Sequence, residues 1–397
     1  MKNQLSNRIN KLPVSQTLAM AAKGRELKEQ GKDIISLSLG EPDFNTPTFI
    51  KEAAIKAVED NYNWYTPVNG YLSLREAISR KFKRDNSLDY NVNQIVVSTG
   101  AKQSLANIVM VLVNPGDEVL LPAPYWVSYE AMVNLADGVS VPIPTSIKTD
   151  FKITPEQLEA AITPKTKLIF FNSPNNPSGS VYSEKEYRAL ADVLVKYPNI
   201  YIISDEIYEH ILFSNTTNYS FARFDDMYNR TITVNGVSKA FAMTGWRVGY
   251  LGAPEWIAKA CTKMQGQITS GTNCIAQIAT ITALNAPVSK IKYMVDEFKI
   301  RRDLILDLLS KIKGFELNIP EGAFYVFPDI SYYFGKTIAG VKINNASDFS
   351  MLILEKANVA TVTGEAFGQP DCIRISYATS QKLIIEAMKR ISDLVSK

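Results

Sequence analysis

The residues best suited to chemistry in this chain are a lysine and an arginine behind an apolar run. Thr231, Ile232, Thr233 and Val234 read as a buried strand. The run breaks at Asn235-Gly236, presents Ser238-Lys239, and reaches Arg247 eight positions after the lysine. An amine held at a strand end in a partly dry site is readily neutral and nucleophilic. An arginine close behind suits a phosphate. A lone lysine on a loop is ordinary surface, so the reading of Lys239 rests on what the other strand ends carry.

Those ends come from a βα rhythm that starts near Gln94. Apolar runs at 94–97, 118–121, 139–143, 167–171, 200–203, 231–234 and 248–251 alternate with helical patterns. Thr154 with Pro155 behind it starts one of these helices. Strands buried on both faces predict a doubly wound, mostly parallel sheet, with ligands at the carboxyl ends of its strands. The ends read Ser98-Thr99-Gly100-Ala101-Lys102, Trp126, Asn176, Asp205 with Tyr208, and Ser238-Lys239.

Ahead of this rhythm, 15–31 reads as an amphipathic helix closed by Gly31 and 33–39 as a short strand. An ordered loop follows at 40–47, then a helix over 47–61 with Thr46 as its cap, and a second helix over 73–84. After Pro287 the texture becomes α+β. A helix spans 289–312, short strands fall at 316–319, 322–327, 361–362 and 372–376, and a last helix covers 381–395. The expected division is a large cofactor-binding domain over 48–287 and a small domain made of 1–47 plus 288–397.

Composition narrows the classes. The chain has 397 residues, 46% hydrophobic and 21% charged, and a net charge of +3 with both signs interspersed. No basic block argues for nucleic acid, and no apolar run is long enough for a membrane span. The first 15 residues lack the apolar core of a secretory signal, so a cytoplasmic protein is expected. The three cysteines, Cys261, Cys274 and Cys372, are far apart and read as free thiols. The single histidine, His210, excludes histidine-rich metal sites and reads as a supporting residue. No metal is expected. Gly335-Lys336-Thr337 lacks the upstream glycine of a phosphate loop, and no dinucleotide fingerprint opens a helix.

A pyridoxal phosphate site needs a lysine to condense with its aldehyde and a carboxylate against the pyridine nitrogen. It also needs donors on the phenolic oxygen, a flat residue over the ring, and a phosphate cup of backbone N–H groups with an arginine. The candidates, in that order, are Lys239; Asp205; Tyr208 with Asn176; Trp126; and Gly100-Ala101-Lys102 with Ser238 and Arg247.

At this point the chain resembles a known family, the class I (fold-type I) pyridoxal-phosphate aminotransferases of the bacterial aspartate aminotransferase type. The resemblance is carried by SLGEPDFNTP (38–47), YTPVNGYLSLREAI (65–78), STGAKQ (98–103), PAPYWVSY (122–129) and NSPNNPSG (172–179). It continues through SDEIYEH (204–210), NGVSKAFAMTGWRVGY (235–250), EGAFYVFP (321–328) and RISYA (374–378), in family order. It implies that Lys239 joins the cofactor and moves the substrate Cα proton, and that Asp205 pairs with the pyridinium. By the same resemblance Asn176 and Tyr208 tune the phenolic oxygen, and Trp126 stacks on the ring. Arg374 would hold the substrate α-carboxylate, aided by the Gly40 backbone. Tyr65 would reach the cofactor phosphate of a second subunit, which implies a homodimer with shared sites.

The implied reaction moves an amino group from an L-amino acid, L-aspartate first, to 2-oxoglutarate in two half-reactions. Some relatives bind the distal carboxylate of a dicarboxylic substrate with a basic side chain on the helix after STGAKQ. Counting back from the Pro-Gly-Asp turn puts Met110 at that place, which opens an aromatic or prephenate-type specificity. A β-lyase or an aminocyclopropane-carboxylate synthase would use the same Lys, Asp and Arg. A non-catalytic regulator on the same scaffold is set aside, because every cofactor position is filled and no spare DNA-binding segment is expected.

Overall fold

The structure is a computed structural model that describes residues 5–12, 16–213 and 218–396. Its centre is a seven-stranded sheet built from β1 (Ile95–Ser98), β2 (Glu118–Pro122), β3 (Val139–Ile143), β4 (Thr166–Asn172), β5 (Tyr201–Asp205), β6 (Thr231–Gly236) and β7 (Gly249–Gly252). The spatial order is β1-β7-β6-β5-β4-β2-β3. β7 runs antiparallel to both neighbours, and the other pairs are parallel. This is the mostly parallel sheet the βα rhythm predicts. Its middle strands are buried nearly throughout, because helices cover both faces. β3 is one of the two edge strands, β1 being the other. β3 is partly exposed and carries Pro142, which an edge tolerates because it has no N–H to give.

Local chemistry sets the helix ends around the sheet. Thr154 and Gln157 form a reciprocal capping box with Pro155 at the first helical position. Ser183 and Glu186 form another. Gly31 closes the helix Gln16–Glu29 with φ +84, a conformation that favours glycine. The expected start of that helix at Ser15 lies outside the described residues.

Beyond the sheet, Val362–Thr363, Ile373–Ser376 and Tyr325–Val326 make a three-stranded antiparallel sheet with Ile373–Ser376 in the middle. The helices Lys292–Ser310 and Gln381–Val395 cover it. Phe298, Ile305 and Leu309 from the first share one core with Ile384, Met388 and Ile391 from the second.

Several expectations are corrected. The strand expected over 33–39 shrinks to Ile35–Ser36, paired with Val359–Ala360. Thr46 does not cap the next helix; its hydroxyl donates to Ala242 O at 2.7 Å, and Pro47 precedes the first helical residue, Thr48. The expected strand at 316–319 is only a bridge between Glu316 and Asp329. Gly335-Lys336-Thr337 leads into a small hairpin of Thr337–Ile338 and Val341–Lys342. Two helices, Glu255–Ile268 and Cys274–Asn285, have no counterpart in the sequence reading. In the second, Ala276, Gln277, Ala279, Thr280 and Ala283 are all buried, so it lacks a polar face to reveal its period.

Candidate active site

Asp205 is the last residue of β5 and is buried. Tyr129 OH donates to its Oδ2 at 2.7 Å, and Ile207 N donates to Oδ1 at 3.3 Å. Burial pushes the carboxyl up to about 6, against the Tyr129 hydrogen bond. It therefore remains mostly ionised at neutral pH, as a partner for a ring cation must. Next door, β4 ends at Asn172, whose Nδ2 donates to Asp205 O at 2.9 Å. Asn172 Oδ1 accepts from Asn176 N at 2.8 Å, which ties the following turn to the same strand end.

Lys239 follows the end of β6 and donates from Nζ to Gly40 O at 2.6 Å. Burial pushes its ammonium down to about 8; Glu41 opposes the shift, and Arg374 and Arg247 add to it. An amine in this range is partly neutral near physiological pH, as a nucleophile or base requires.

An anion cradle lies at the start of the helix Ala101–Leu112. Gly100 precedes it with φ +83, and a Cβ there would stand 2.3 Å from Arg247 Nη2. Across the cradle a Cβ on Gly249 would stand 2.1 Å from Ala101 N. Only glycines allow backbone and guanidinium to close in this way. Helix-start N–H groups, Ser238, Lys102 and Arg247 together form a donor set for a phosphate. Burial lowers the Lys102 pKa, and the nearby charge of Arg247 lowers it further, so an anion bound between the two would favour the ammonium.

Arg374 sits in the middle strand of the three-stranded sheet, only 2% exposed. Its Nη1 donates to Asn176 Oδ1 at 3.0 Å and its Nη2 to Ser38 O at 2.7 Å. Nε has no hydrogen-bond partner among the described residues. The guanidinium lies 4.7 Å from the Tyr325 ring centre and 5.0 Å from that of Phe367. A buried guanidinium held by neutral acceptors is set up for an anionic ligand.

One cavity of about 570 Å³ joins these parts. It brings together Gly40, Ala101, Lys102, Trp126, Asn176, Asp205, Tyr208, Ser238, Lys239, Arg247 and Arg374, with Gly100 against Arg247 at its rim. Tyr65 is not among them; it is 99% exposed. Met110 is also outside the cavity. It lies eight residues along the helix from Lys102, about 12 Å at 1.5 Å per residue. Counting from the turn that follows the helix selects the wrong end of it. Lys102 is the helix cation that does reach the cavity, with Nζ 4.7 Å from the Trp126 ring centre.

The sequence reading misses Tyr129, Asn172 and Tyr325. Tyr325 OH lies 2.8 Å from Tyr208 OH. Burial raises both phenols, Tyr208 well above its usual range, so Tyr208 remains a neutral donor. Asn172 could be found as the last residue of its strand, and Tyr129 as the residue three after Trp126. Nothing local marks Tyr325 beyond its place in EGAFYVFP.

The donor set fits pyridoxal phosphate: a cradle for the phosphate, Asp205 for the pyridinium, and Lys239 for the aldehyde. Comparison with known proteins agrees. Residues 32–391 match the family described as aminotransferase class I and II. The chain belongs to that family, whose members use pyridoxal 5'-phosphate. An aspartate/prephenate aminotransferase of Nitrosomonas europaea is 47% identical over 99% of this chain and 100% of its own length. A bifunctional aspartate aminotransferase and glutamate/aspartate-prephenate aminotransferase of Petunia hybrida is 46% identical over 98% of this chain and 82% of its own. The crystal structure of the Rhizobium meliloti aspartate aminotransferase superposes with a TM-score of 0.96 at 43% identity, covering 99% of each chain. The Thermus thermophilus aspartate aminotransferase with maleate gives 0.93 at 39% identity, covering 99% of this chain and 100% of that one.

Proposed function

We propose that this chain moves the amino group of L-aspartate to 2-oxoglutarate with pyridoxal phosphate as cofactor. The observation that carries this reading is the convergence of Lys239, Asp205 and a buried Arg374 lacking a carboxylate partner on one cavity that also holds Lys102. When bound, the cofactor supplies an aldehyde and an electron-withdrawing ring that eases proton loss at the substrate Cα. Asp205 keeps the ring nitrogen protonated, with Tyr129 orienting its Oδ2. Tyr208 and Asn176 donate to the phenolic oxygen, and Trp126 covers the ring. Gly100, Ala101, Lys102, Ser238 and Arg247 hold the phosphate. Arg374 takes the α-carboxylate, Gly40 shapes the floor beside it, and Lys239 takes and returns the Cα proton.

In this reading the ammonium of Lys102 also faces the second carboxylate of a dicarboxylic substrate. Two cations in one cavity favour aspartate, 2-oxoglutarate and prephenate, each of which has two carboxylates. The maleate of the Thermus enzyme, also a dicarboxylate, supports this. A cytoplasmic homodimer completes the proposal. Tyr65 and its neighbour Trp64, 99% and 79% exposed, are an aromatic pair that a second copy would cover. The division into a large domain over 48–287 and a small one of 1–47 plus 288–397 is proposed with it.

The test is a donor panel of aspartate, glutamate, tyrosine and alanine with 2-oxoglutarate and with prephenate as acceptors. Aspartate is expected to lead, yielding glutamate or arogenate. Release of ammonia and pyruvate instead would mean lyase chemistry. Lys102→Met is expected to cut kcat/KM for aspartate by about 10- to 100-fold, as for a lost charge-assisted bond of about 1.5–3 kcal/mol. With pyridoxal phosphate saturating, so that the phosphate contact of Lys102 is not limiting, alanine, with one carboxylate, should lose much less. Equal losses for both donors would assign Lys102 to the phosphate alone.

A further inference from the structure

Behind the active site is a buried ionic cluster that the proposed chemistry does not use. Asp205 ends β5 and Tyr208 lies on the turn that follows it, closed by Glu209 N to Glu206 O at 2.9 Å and Ile211 N to Tyr208 O at 2.8 Å. Residues three apart on such a turn share a side. Asp205 and Tyr208 face the cavity, while Glu206 and Glu209 are buried in the opposite direction.

Those two carboxylates meet one helix end. The helix Leu72–Lys81 continues as a π-helical turn, Phe82–Asn86, which ends at Ser87 with φ +56. The wider turn aligns residues five apart, so Lys81 Nζ donates to Asn86 Oδ1 at 2.6 Å. Lys81 is 1% exposed, and its ammonium sits directly on Glu209 Oε1. Asn86 Nδ2 faces Glu209 Oε2 at 2.7 Å and Glu206 Oε2 at 3.0 Å. Ser204 and Ser220 hydroxyls donate to Glu206 at 2.8 and 2.5 Å. His210 Nε2 lies 3.4 Å from Asp85 Oδ2 and 3.3 Å from Glu209 Oε1.

Asp85, Glu209 and His210 present ligand atoms within 4.8 Å of one another. Lys81 already places a cation against Glu209, so the ammonium fills the role a metal ion would take. Burial works against ionisation of Glu209, yet Lys81 and then His210 hold it below the usual carboxylate range. Burial, and then the charge of Glu209, push Glu206 up to about 7.

We propose that Lys81 and Asn86 are positioning residues for the reaction. They grip Glu209 and Glu206 from behind and so fix Tyr208, and the orientation of Asp205 at the strand end before it, on the front of the same segment. Asp205 is still paired in the sheet and Glu206 N donates to Val234 O at 2.9 Å, but beyond Glu206 no sheet ladder holds Tyr208 and Glu209, and a displacement of about 1 Å in such a group can cost about 100-fold in rate. The π-helical turn then has a physical reason, since it is what brings Lys81 and Asn86 together.

The inference rests on the reading of the cavity as a pyridoxal phosphate site. The test measures three properties of wild type, Lys81→Met, Asn86→Ser and Lys81→Met/Glu209→Gln. These are the affinity of the apoprotein for pyridoxal phosphate, the pH midpoint of the visible band of the holoenzyme, and kcat and KM with aspartate. Lys81→Met is expected to weaken cofactor affinity by about 10- to 100-fold. It should also move the pH midpoint and lower kcat more than it raises KM. The double variant removes the ammonium together with its carboxylate partner, so a loss that persists in it reports the missing grip, whereas full recovery would assign the loss to an unpaired charge and overturn the inference. Asn86→Ser creates no unpaired charge and gives the same readouts if Lys81→Met does not fold. Folded variants with wild-type affinity and midpoint, and only a lowered Tm, would reduce the cluster to a structural role and overturn the inference. A wild-type protein that does not bind pyridoxal phosphate would instead overturn the reading of the cavity.

Discussion

Lys239→Ala is expected to fold normally and to lose multiple-turnover transamination by more than about 10⁴-fold, the upper range for a positioned acid-base group. The lysine has two tasks, and both are lost with it: joining the cofactor aldehyde and moving the Cα proton. The fold should not depend on it. Among the described residues its side chain makes one hydrogen bond, to Gly40 O at 2.6 Å, and burial makes its charge a cost to the folded state. The sign follows from linkage. Its pKa falls from 10.5 unfolded to about 8 folded, so between those values the unfolded chain binds more protons. Stability therefore rises with pH through that window, and the penalty is greatest below about 8. The alanine variant lacks this penalty and should melt no lower than wild type at pH 7. Turnover assays, pH-dependent melting of the apoprotein and visible spectra after adding pyridoxal phosphate check the three parts. Wild type should develop a visible band from the lysine link, and the variant should not. Near-normal turnover by Lys239→Ala would show that the lysine is wrongly assigned.

Lys239, Asp205 and Asn176 are legible in the sequence because parallel strands are apolar runs that stop abruptly. Whatever follows the stop stands at the carboxyl edge, where the ligands of doubly wound sheets bind. Arg374 has no such marker. Its strand lies in another sheet, and its place 3.0 Å from Asn176 Oδ1 comes from the long-range packing of Ile373–Ser376 against Tyr325–Val326. The resemblance to the family supplies what local pattern does not. Met110 shows how far a count can mislead when the anchor is a turn at the far end of a helix. Tyr129 and Lys81 are harder still. Each acts through another residue, and neither a tyrosine on a short helix nor a lysine in a charged helix differs locally from its neighbours. Lys81 does fall on the buried face, seven residues after Leu74 and three after Ile78, but only the fold shows what it meets there, because the π-helical turn that brings Asn86 to it is not a periodicity that apolar spacing reveals.

Arg374→Ala should reduce kcat/KM for every amino donor by about 30- to 5,000-fold, the 2–5 kcal/mol typical of truncating one side of a buried charge pair. Most of the loss should appear in KM, because the α-carboxylate is present before and after the chemistry and is bound nearly equally throughout. The environment sets the size. Two neutral acceptors and two aromatic rings hold the guanidinium in place, and Nε is left over. An incoming carboxylate therefore meets an oriented cation in a dry setting, where a charge-assisted bond is strong. Truncation to alanine also leaves a hole beside Tyr325 and Phe367. Arg374→Met retains much of the stem and isolates the charge; it should show nearly the same loss with a smaller drop in Tm. The pattern across donors separates this site from Lys102. Losing Arg374 should affect alanine and aspartate alike, and losing Lys102 should affect aspartate selectively. Because the two cations serve different carboxylates of one substrate, their effects on aspartate should add to within about 0.5 kcal/mol in the double variant. A strong departure from additivity would mean that both cations share one carboxylate, and an unchanged KM in Arg374→Ala would move the α-carboxylate site elsewhere in the cavity.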